Sequence, residues 1–284
     1  MNLAGDFLST AGHVGMLAQF TYYTMVVTAL AFFGGFVFFL TAHSRVVPEH
    51  RGAMALHAII CGIAGLSYFK IQNDFSHLLQ VLAGTPTGGE RLSLIHEAYV
   101  AIGQFRYMDW TVTTPLLLLA AVLTLRVRTR QVIGPVIVML LADVFMIATG
   151  FIGNNQITAD GTILAGPRLV WGTVSTLGYL VVVYVLFTQF RKYQRAAHDE
   201  EANAFKWAAL ATVTTWGVYP LGYLVPVFFS GTDYNWLHIA FSVGDVINKV
   251  GIGVIAYWAA AAVYEKRHPS QDNPAAREEH PQAG

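Results

Sequence analysis

The sequence predicts an all-α membrane protein: a bundle of seven transmembrane helices followed by a short polar tail. Three observations carry that reading. Of 284 residues, 55% are hydrophobic and 12% charged, against about 25% charged in ordinary soluble domains. Seven apolar segments each reach the ~20 residues that a helix needs to cross a hydrocarbon core. The basic residues collect in alternate connections.

The segments cover residues 15–42, 53–78, 97–126, 131–154, 167–190, 204–229 and 234–265. The first carries no charge. The second has Lys70 and Asp74 toward its far end, the third Arg106, Asp109 and Pro115, and the fourth one acid, Asp143. The fifth opens on Pro167 and Arg168, the sixth contains Pro220, and the seventh holds Asp245 and Lys249. The connection over residues 80–96 carries Gly-Thr-Pro-Thr-Gly-Gly, which predicts a hairpin-like loop. Residues 1–265 form one domain, and the Pro- and Glu-containing tail 266–284 reads as disordered. The N-terminus has no basic region followed by a cleavage site, so no removable signal peptide is expected.

The 17 basic and 17 acidic residues cancel, which gives no electrostatic case for nucleic acid. A single cysteine, Cys61, excludes an intrachain disulfide and a Cys-based metal cluster. Arg45, Arg51, Arg126, Arg128, Arg130, Arg191, Lys192, Arg195, Lys206, Lys266, Arg267 and Arg277 fall on one side. Lys70, Arg91 and Arg168 fall on the other. The positive-inside rule then puts the N-terminus outside and the tail in the cytoplasm.

Two segments contain charges where charges are expensive. Lys249 lies mid-span, with Asp245 one turn earlier on the same face. A buried amine can act as a nucleophile toward an aldehyde and form a Schiff base. The same spacing also suits a structural Lys–Asp pair between helices, and spacing alone leaves both open. The third segment reads Arg106-Tyr107-Met108-Asp109-Trp110-Thr111-Val112-Thr113-Thr114-Pro115. Arg106 and Asp109 must face the bundle interior, and Thr113 is placed to hydrogen-bond Asp109. Pro115 predicts a kink. Asp109 and Asp245 are both candidate counter-ions for Lys249. The alternative is a polar seam joining helices.

Arg106-Tyr107-X-Asp109-Trp110-X-X-Thr113-Thr114-Pro115, followed by Asp245-X-X-X-Lys249-Val250-Gly251, resembles the microbial (type 1) rhodopsins. The likeness extends over all seven segments and is similar to the bacterial proteorhodopsin and xanthorhodopsin branch, with Asp109, Thr113 and Ala120 as its helix C motif. By this resemblance Lys249 carries all-trans retinal as a protonated Schiff base, with Asp109 and Asp245 as counter-ions. Trp216, Tyr219, Pro220 and Tyr223 are similar to the aromatic wall around the polyene, joined by Tyr107, Trp110, Thr114 and Trp171. Asp143, Met146 and Gly150 resemble the ring-end pocket. Leu117 resembles the residue of green-absorbing relatives. The aromatic residues also suit a flat apolar slot on physical grounds.

The resemblance implies a light-driven transporter rather than an enzyme, placed in the plasma (inner) membrane among lipid as a homo-oligomer (pentamer or trimer). An acid at Asp109 with Thr113 argues against sodium and chloride pumps, and retention of Asp245 implies outward proton transport. A photosensor signalling to a partner protein is the alternative. Ala120 occupies the place, about 16 Å inward of Asp109 by helix rise, where outward pumps usually carry a carboxylic donor. No other acid is expected in the inner half of the helices. The outer connection lacks the paired glutamates of bacteriorhodopsin, and Ser67 stands where proteorhodopsins usually carry a histidine. His57 and His238 are possible proton shuttles, although lone histidines are more often simply packed. Gly172 is similar to the xanthorhodopsin glycine that admits a carotenoid antenna; close helix packing explains a small residue equally well.

Overall fold

A computed structural model describes residues 11–125, 129–158, 162–195 and 197–268. Its helices are α1 (Ala11–Val14), α2 (Met16–Ala42), α3 (Arg51–Gly84), α4 (Gly89–Thr124), α5 (Thr129–Asn154), α6 (Ala165–Tyr184), α7 (Arg191–Gln194), α8 (Asp199–Thr214), α9 (Val218–Phe228), α10 (Asn235–Val246) and α11 (Ile252–Arg267). π-Helical turns occupy Val185–Gln189, after α6, and Ile247–Gly251, between α10 and α11. The latter make one continuous span. Among the described residues the only β feature is an isolated bridge between Ile157 and Ile163.

Among the described residues, six helices are long and apolar enough to cross a membrane. The sixth predicted segment is instead divided into α8 and α9, because Pro220 has no N–H to give the Trp216 carbonyl. Tyr219 N–H takes that carbonyl instead (3.2 Å), Gly217 N–H turns back to Thr214 (3.1 Å), and Trp216 N–H reaches Ala211 (3.2 Å). The helix is therefore overwound and underwound around Trp216. Large apolar side chains such as Leu30, Leu66, Phe69, Leu141, Val170 and Trp258 face outward, a surface that fits lipid rather than water.

Several boundaries differ from those read in the sequence. The connection predicted over residues 80–96 as a hairpin-like loop is mostly helix: α3 continues to Gly84 and α4 starts at Gly89. Only a tight turn remains, and Gly88, at φ 142°, supplies a conformation that other residues rarely adopt. α11 runs into the predicted tail as far as Arg267, where Arg267 pairs with Glu49 (2.9 Å) and Lys266 with Glu200. Residues 269–284, the remainder of the predicted disordered tail, lie outside the described residues.

Neighbouring helices pack in sequence: α2 on α3, α3 on α4, α4 on α5 and α5 on α6, while α10 returns to α2 and α11 lies on α8. The closed ring brings α4 and the α10–α11 span across from each other, so their charged residues share the centre.

Candidate functional site

Lys249 sits within the π turn and is 1% exposed. An inserted residue of this kind breaks the regular ladder and is frequent at functional sites. Its Nζ hydrogen-bonds Asp109 Oδ2 across the bundle and lies 3.8 Å from Asp245 Oδ1. The two carboxylates expected as counter-ions thus both lie close to this nitrogen, and both are buried.

Their surroundings differ. Asp245 accepts from Tyr68 Oη (2.7 Å), Tyr219 Oη (2.7 Å), Trp110 Nε1 (3.2 Å) and Arg106 Nη1 (3.4 Å). Arg106 is in turn hydrogen-bonded to Tyr68 and stacks over its ring at 5.0 Å. Asp109 has far less. Its Oδ1 has no partner, and the predicted Thr113 contact is long: the hydroxyl donates to the Asp109 carbonyl at 3.0 Å and reaches Oδ2 at 3.5 Å. In the helix a threonine hydroxyl finds the carbonyl four residues back more readily than its side chain. One carboxylate is saturated with donors; the other depends on the ammonium.

From Lys249 a cavity of about 210 Å³ extends between the helices. Packed protein interiors contain few voids larger than a water, so a space of this size is a built feature. Of the predicted wall residues, Tyr107, Trp110, Thr114, Leu117, Met146, Gly150, Gly172, Trp216, Tyr219, Pro220 and Tyr223 line it. Trp110 and Tyr219 meet edge-on with centroids 4.6 Å apart. Pro115, two positions before Leu117, stays inside a continuous α4.

Two predicted pocket residues are not on the wall. Asp143 is fully buried behind it, where it accepts a hydrogen bond from Thr114 Oγ1 (2.8 Å). Trp171 is half-buried and backs onto Gly153 instead. Helical register explains the second: Gly172 and Ser175 face the cavity, which turns their neighbour Trp171 aside.

Other contributors were not identified from the sequence. Ile147, Ser175, Thr176, Tyr179 and Asn248 also line the cavity. Tyr68 donates to Asp245 at the same 2.7 Å as Tyr219, and only its position among apolar residues hinted at burial. Arg168, read as an outer-surface cation, is fully buried. It donates to the Tyr223 carbonyl (3.2 Å) and to the Asn154 carbonyl (3.2 Å), while Tyr223 Oη donates to the Arg168 carbonyl (2.6 Å). The expectation that no further acid enters the inner half is also corrected. Glu201, in the first turn of α8, is buried and pairs with His50 at 2.9 Å; α8 begins five residues before the predicted segment. Ala120 is fully buried, with its carbonyl accepting from Thr124 Oγ1 (3.0 Å).

A buried lysine held between two unlike carboxylates, at the end of an aromatic cavity in a helical bundle, is the arrangement that decides the family. The sequence matches the bacteriorhodopsin-like proteins over residues 18–263. The chain belongs to that family. It is 31% identical to bacteriorhodopsin of Halobacterium salinarum over 243 residues, 85% of this chain and 84% of that protein. Among solved structures it resembles the Exiguobacterium sibiricum rhodopsin (26% identity, TM-score 0.72, 86% of this chain and 97% of that one). It also resembles xanthorhodopsin, a light-driven ion pump with dual chromophore (26% identity, TM-score 0.73, 88% and 96% covered). The chain is thus a microbial type 1 rhodopsin, a multi-pass protein of the plasma membrane.

Members of the family bind retinal through a lysine, and the residues present in this rhodopsin fit such a group. The cavity is lined with aromatic residues, and Lys249 is the one lysine on its lining among the described residues. The glycines on its walls allow rings to approach. A Cβ on Gly150 would lie 3.0 Å from Tyr107 Cε1, and one on Gly172 would lie 2.7 Å from Tyr223 Cε1.

Proposed function

We propose that this rhodopsin is a light-driven outward proton pump in which all-trans retinal is bound covalently at Lys249 and Asp109 is the proton acceptor. The asymmetry between the two carboxylates is the observation that carries the reading. Retinal, when bound, supplies an isomerisation driven by light. The protein supplies the rest: Trp110 and Tyr219 confine the polyene, Tyr107, Gly150 and Met146 shape the far end, and Lys249 places its nitrogen beside Asp109.

Asp245 is held by four donors, so a proton added there would break charge-assisted hydrogen bonds. Asp109 has an unpartnered oxygen next to the nitrogen, and loss of the ammonium charge removes its main stabiliser. A proton leaving the nitrogen therefore goes to Asp109, on the side of Arg106. The basic connections put the opposite end of the bundle in the cytoplasm and the N-terminus outside, which makes transport outward. Lipid surrounds the bundle, and the resemblance adds a homo-oligomer, pentamer or trimer.

The decisive experiment is external pH in unbuffered cells that express the protein with added all-trans retinal, under illumination, with and without a protonophore. Acidification abolished by the protonophore is the expected result. Coloured cells that cause no pH change would sink the pump and favour the sensor reading.

Ala120 is the observation that favours a sensor, because a buried methyl group cannot return a proton to the nitrogen. If that proton comes from the cytoplasm through water, the return step slows about tenfold per pH unit as pH rises. Ala120→Asp should accelerate it by about a hundredfold at alkaline pH and flatten the pH dependence. Flash-induced absorption recovery measures both. A recovery already independent of pH in the parent would show that another group holds the proton.

Gly172 makes room for the Tyr223 ring, so a carotenoid antenna at that face would require the ring to be displaced. Packing is the reading that the geometry favours for this glycine.

A further inference from the structure

On the outer side of the charged centre, four buried polar atoms have no partner: Arg106 Nε, His238 Nδ1, and both Nδ2 and Oδ1 of Asn235. More than ~90% of buried polar groups are paired with protein or water, so such a concentration points to bound water. Arg106 and His238 border a separate cavity of about 20 Å³ shared with Tyr99 and Asn154. A water needs about 10–15 Å³ and two or more polar partners, and this space offers both. Asn235 lies one turn beyond His238 on the same side of α10, at the outer end of the helix.

We propose that His238 is the exit group of this pump, receiving the outgoing proton from Asp109 by way of water at Arg106 and passing it along Asn235 to the outer surface. The inference rests on the outward-pump reading. In the step, Asp109 gives up the proton it took from the Lys249 nitrogen. A bound water carries it past the guanidinium, His238 takes it up at Nδ1, and the same nitrogen then releases it to a second water on the Asn235 side. The imidazole ends neutral, as it began, and Asp109 is again a carboxylate.

The surroundings suit a transient carrier. Phe75 of α3 (5.9 Å) and Tyr99 of α4 (5.7 Å) pack against the ring. Arg106 approaches from the inner side, and Ser242 Oγ donates to the His238 carbonyl (2.7 Å). The acids of this end are occupied or outside the track. Asp74 pairs with Lys70, Asp233 caps the Asn235 N–H (2.8 Å), and Glu97 is at the exposed face of α4 beside Ser93 (3.5 Å). Glu90 is exposed in the first turn of α4 and His96 is engaged with the Thr232 carbonyl, which leaves His238 as the imidazole on the small cavity beside Arg106. Thr21 Oγ1 donates to the Asn235 carbonyl (3.1 Å) and fixes α2 against this turn.

The test uses the full-length protein with all-trans retinal in lipid nanodiscs, a pH-indicator dye outside, and flash excitation. His238→Gln and Asn235→Leu should keep the visible band and the rate at which the Lys249 nitrogen loses its proton. Proton appearance in the medium should lag by about tenfold in His238→Gln and less in Asn235→Leu. Unchanged timing in both, with a parent that releases protons, overturns the relay and leaves the pump intact. A parent that releases none overturns both. A second readout needs no turnover: an experimental structure resolving solvent should place water between Arg106 Nε and His238 Nδ1, and a dry contact would count against the relay even if a variant failed to fold.

Discussion

Lys249→Ala will abolish the visible absorption band, leaving added all-trans retinal with the spectrum of the free aldehyde. Among the described residues no other lysine lines the 210 Å³ cavity, so no second amine there can take its place. The change also removes the cation between two buried carboxylates. Asp245 keeps its contacts with Tyr68, Tyr219, Trp110 and Arg106, whereas Asp109 loses its principal partner. Breaking one side of a buried ion pair costs about 3–5 kcal/mol, so reduced thermal stability should accompany the loss of colour. The double change Lys249→Ala with Asp109→Asn should recover most of that stability and none of the colour. Absorption spectra and thermal unfolding followed by helical circular dichroism separate the two effects. A retained visible band in Lys249→Ala would disprove attachment at this residue.

Asp109→Asn will eliminate proton transport while preserving retinal binding. The carboxamide matches the carboxylate in shape and can still accept a hydrogen bond from the Lys249 nitrogen, but it cannot take a proton. The absorption band should move to longer wavelength. Light shifts positive charge away from the nitrogen along the polyene, so a nearby negative charge stabilises the ground state more than the excited state, and its removal narrows the gap. External pH under illumination reads the first effect and the dark spectrum the second. Acidification surviving in Asp109→Asn would place the acceptor elsewhere, with Asp245 the next group to change.

Much of this site was legible from the chain because charge is costly in a membrane. Lys249, Asp109, Asp245 and Arg106 stand out against apolar neighbours, and their spacing puts each pair on one helical face. The aromatic residues of α4 and α9 came instead from the family resemblance and from the flat apolar slot that a polyene needs. What could not be read depends on how helices face one another. Tyr68 belongs to α3, and nothing in that segment says that it reaches Asp245 on α10. Arg168 sits near the end of an apolar segment, where a cation usually meets water; its burial depends on carbonyls of α5 and α9. Glu201 lies ahead of the apolar run, and the helix begins earlier than hydropathy does. Trp171 shows the opposite error, where an aromatic residue adjacent in sequence to the pocket is turned away from it by register.

The bonds between Arg168 and Tyr223 give the protein unequal mechanical stiffness. They join α6 and α9 in both directions through backbone carbonyls around the cavity end remote from Lys249, and the Arg168 bond to the Asn154 carbonyl adds α5. The opposite end rests on a π turn and on the interrupted segment around Trp216, where the regular ladder is already broken and rearrangement sacrifices few hydrogen bonds. A change of shape inside the cavity consequently has one rigid abutment and one yielding wall. The yielding wall is the one that leads into α11, and under the proposed outward transport that is the side from which the nitrogen would regain its proton.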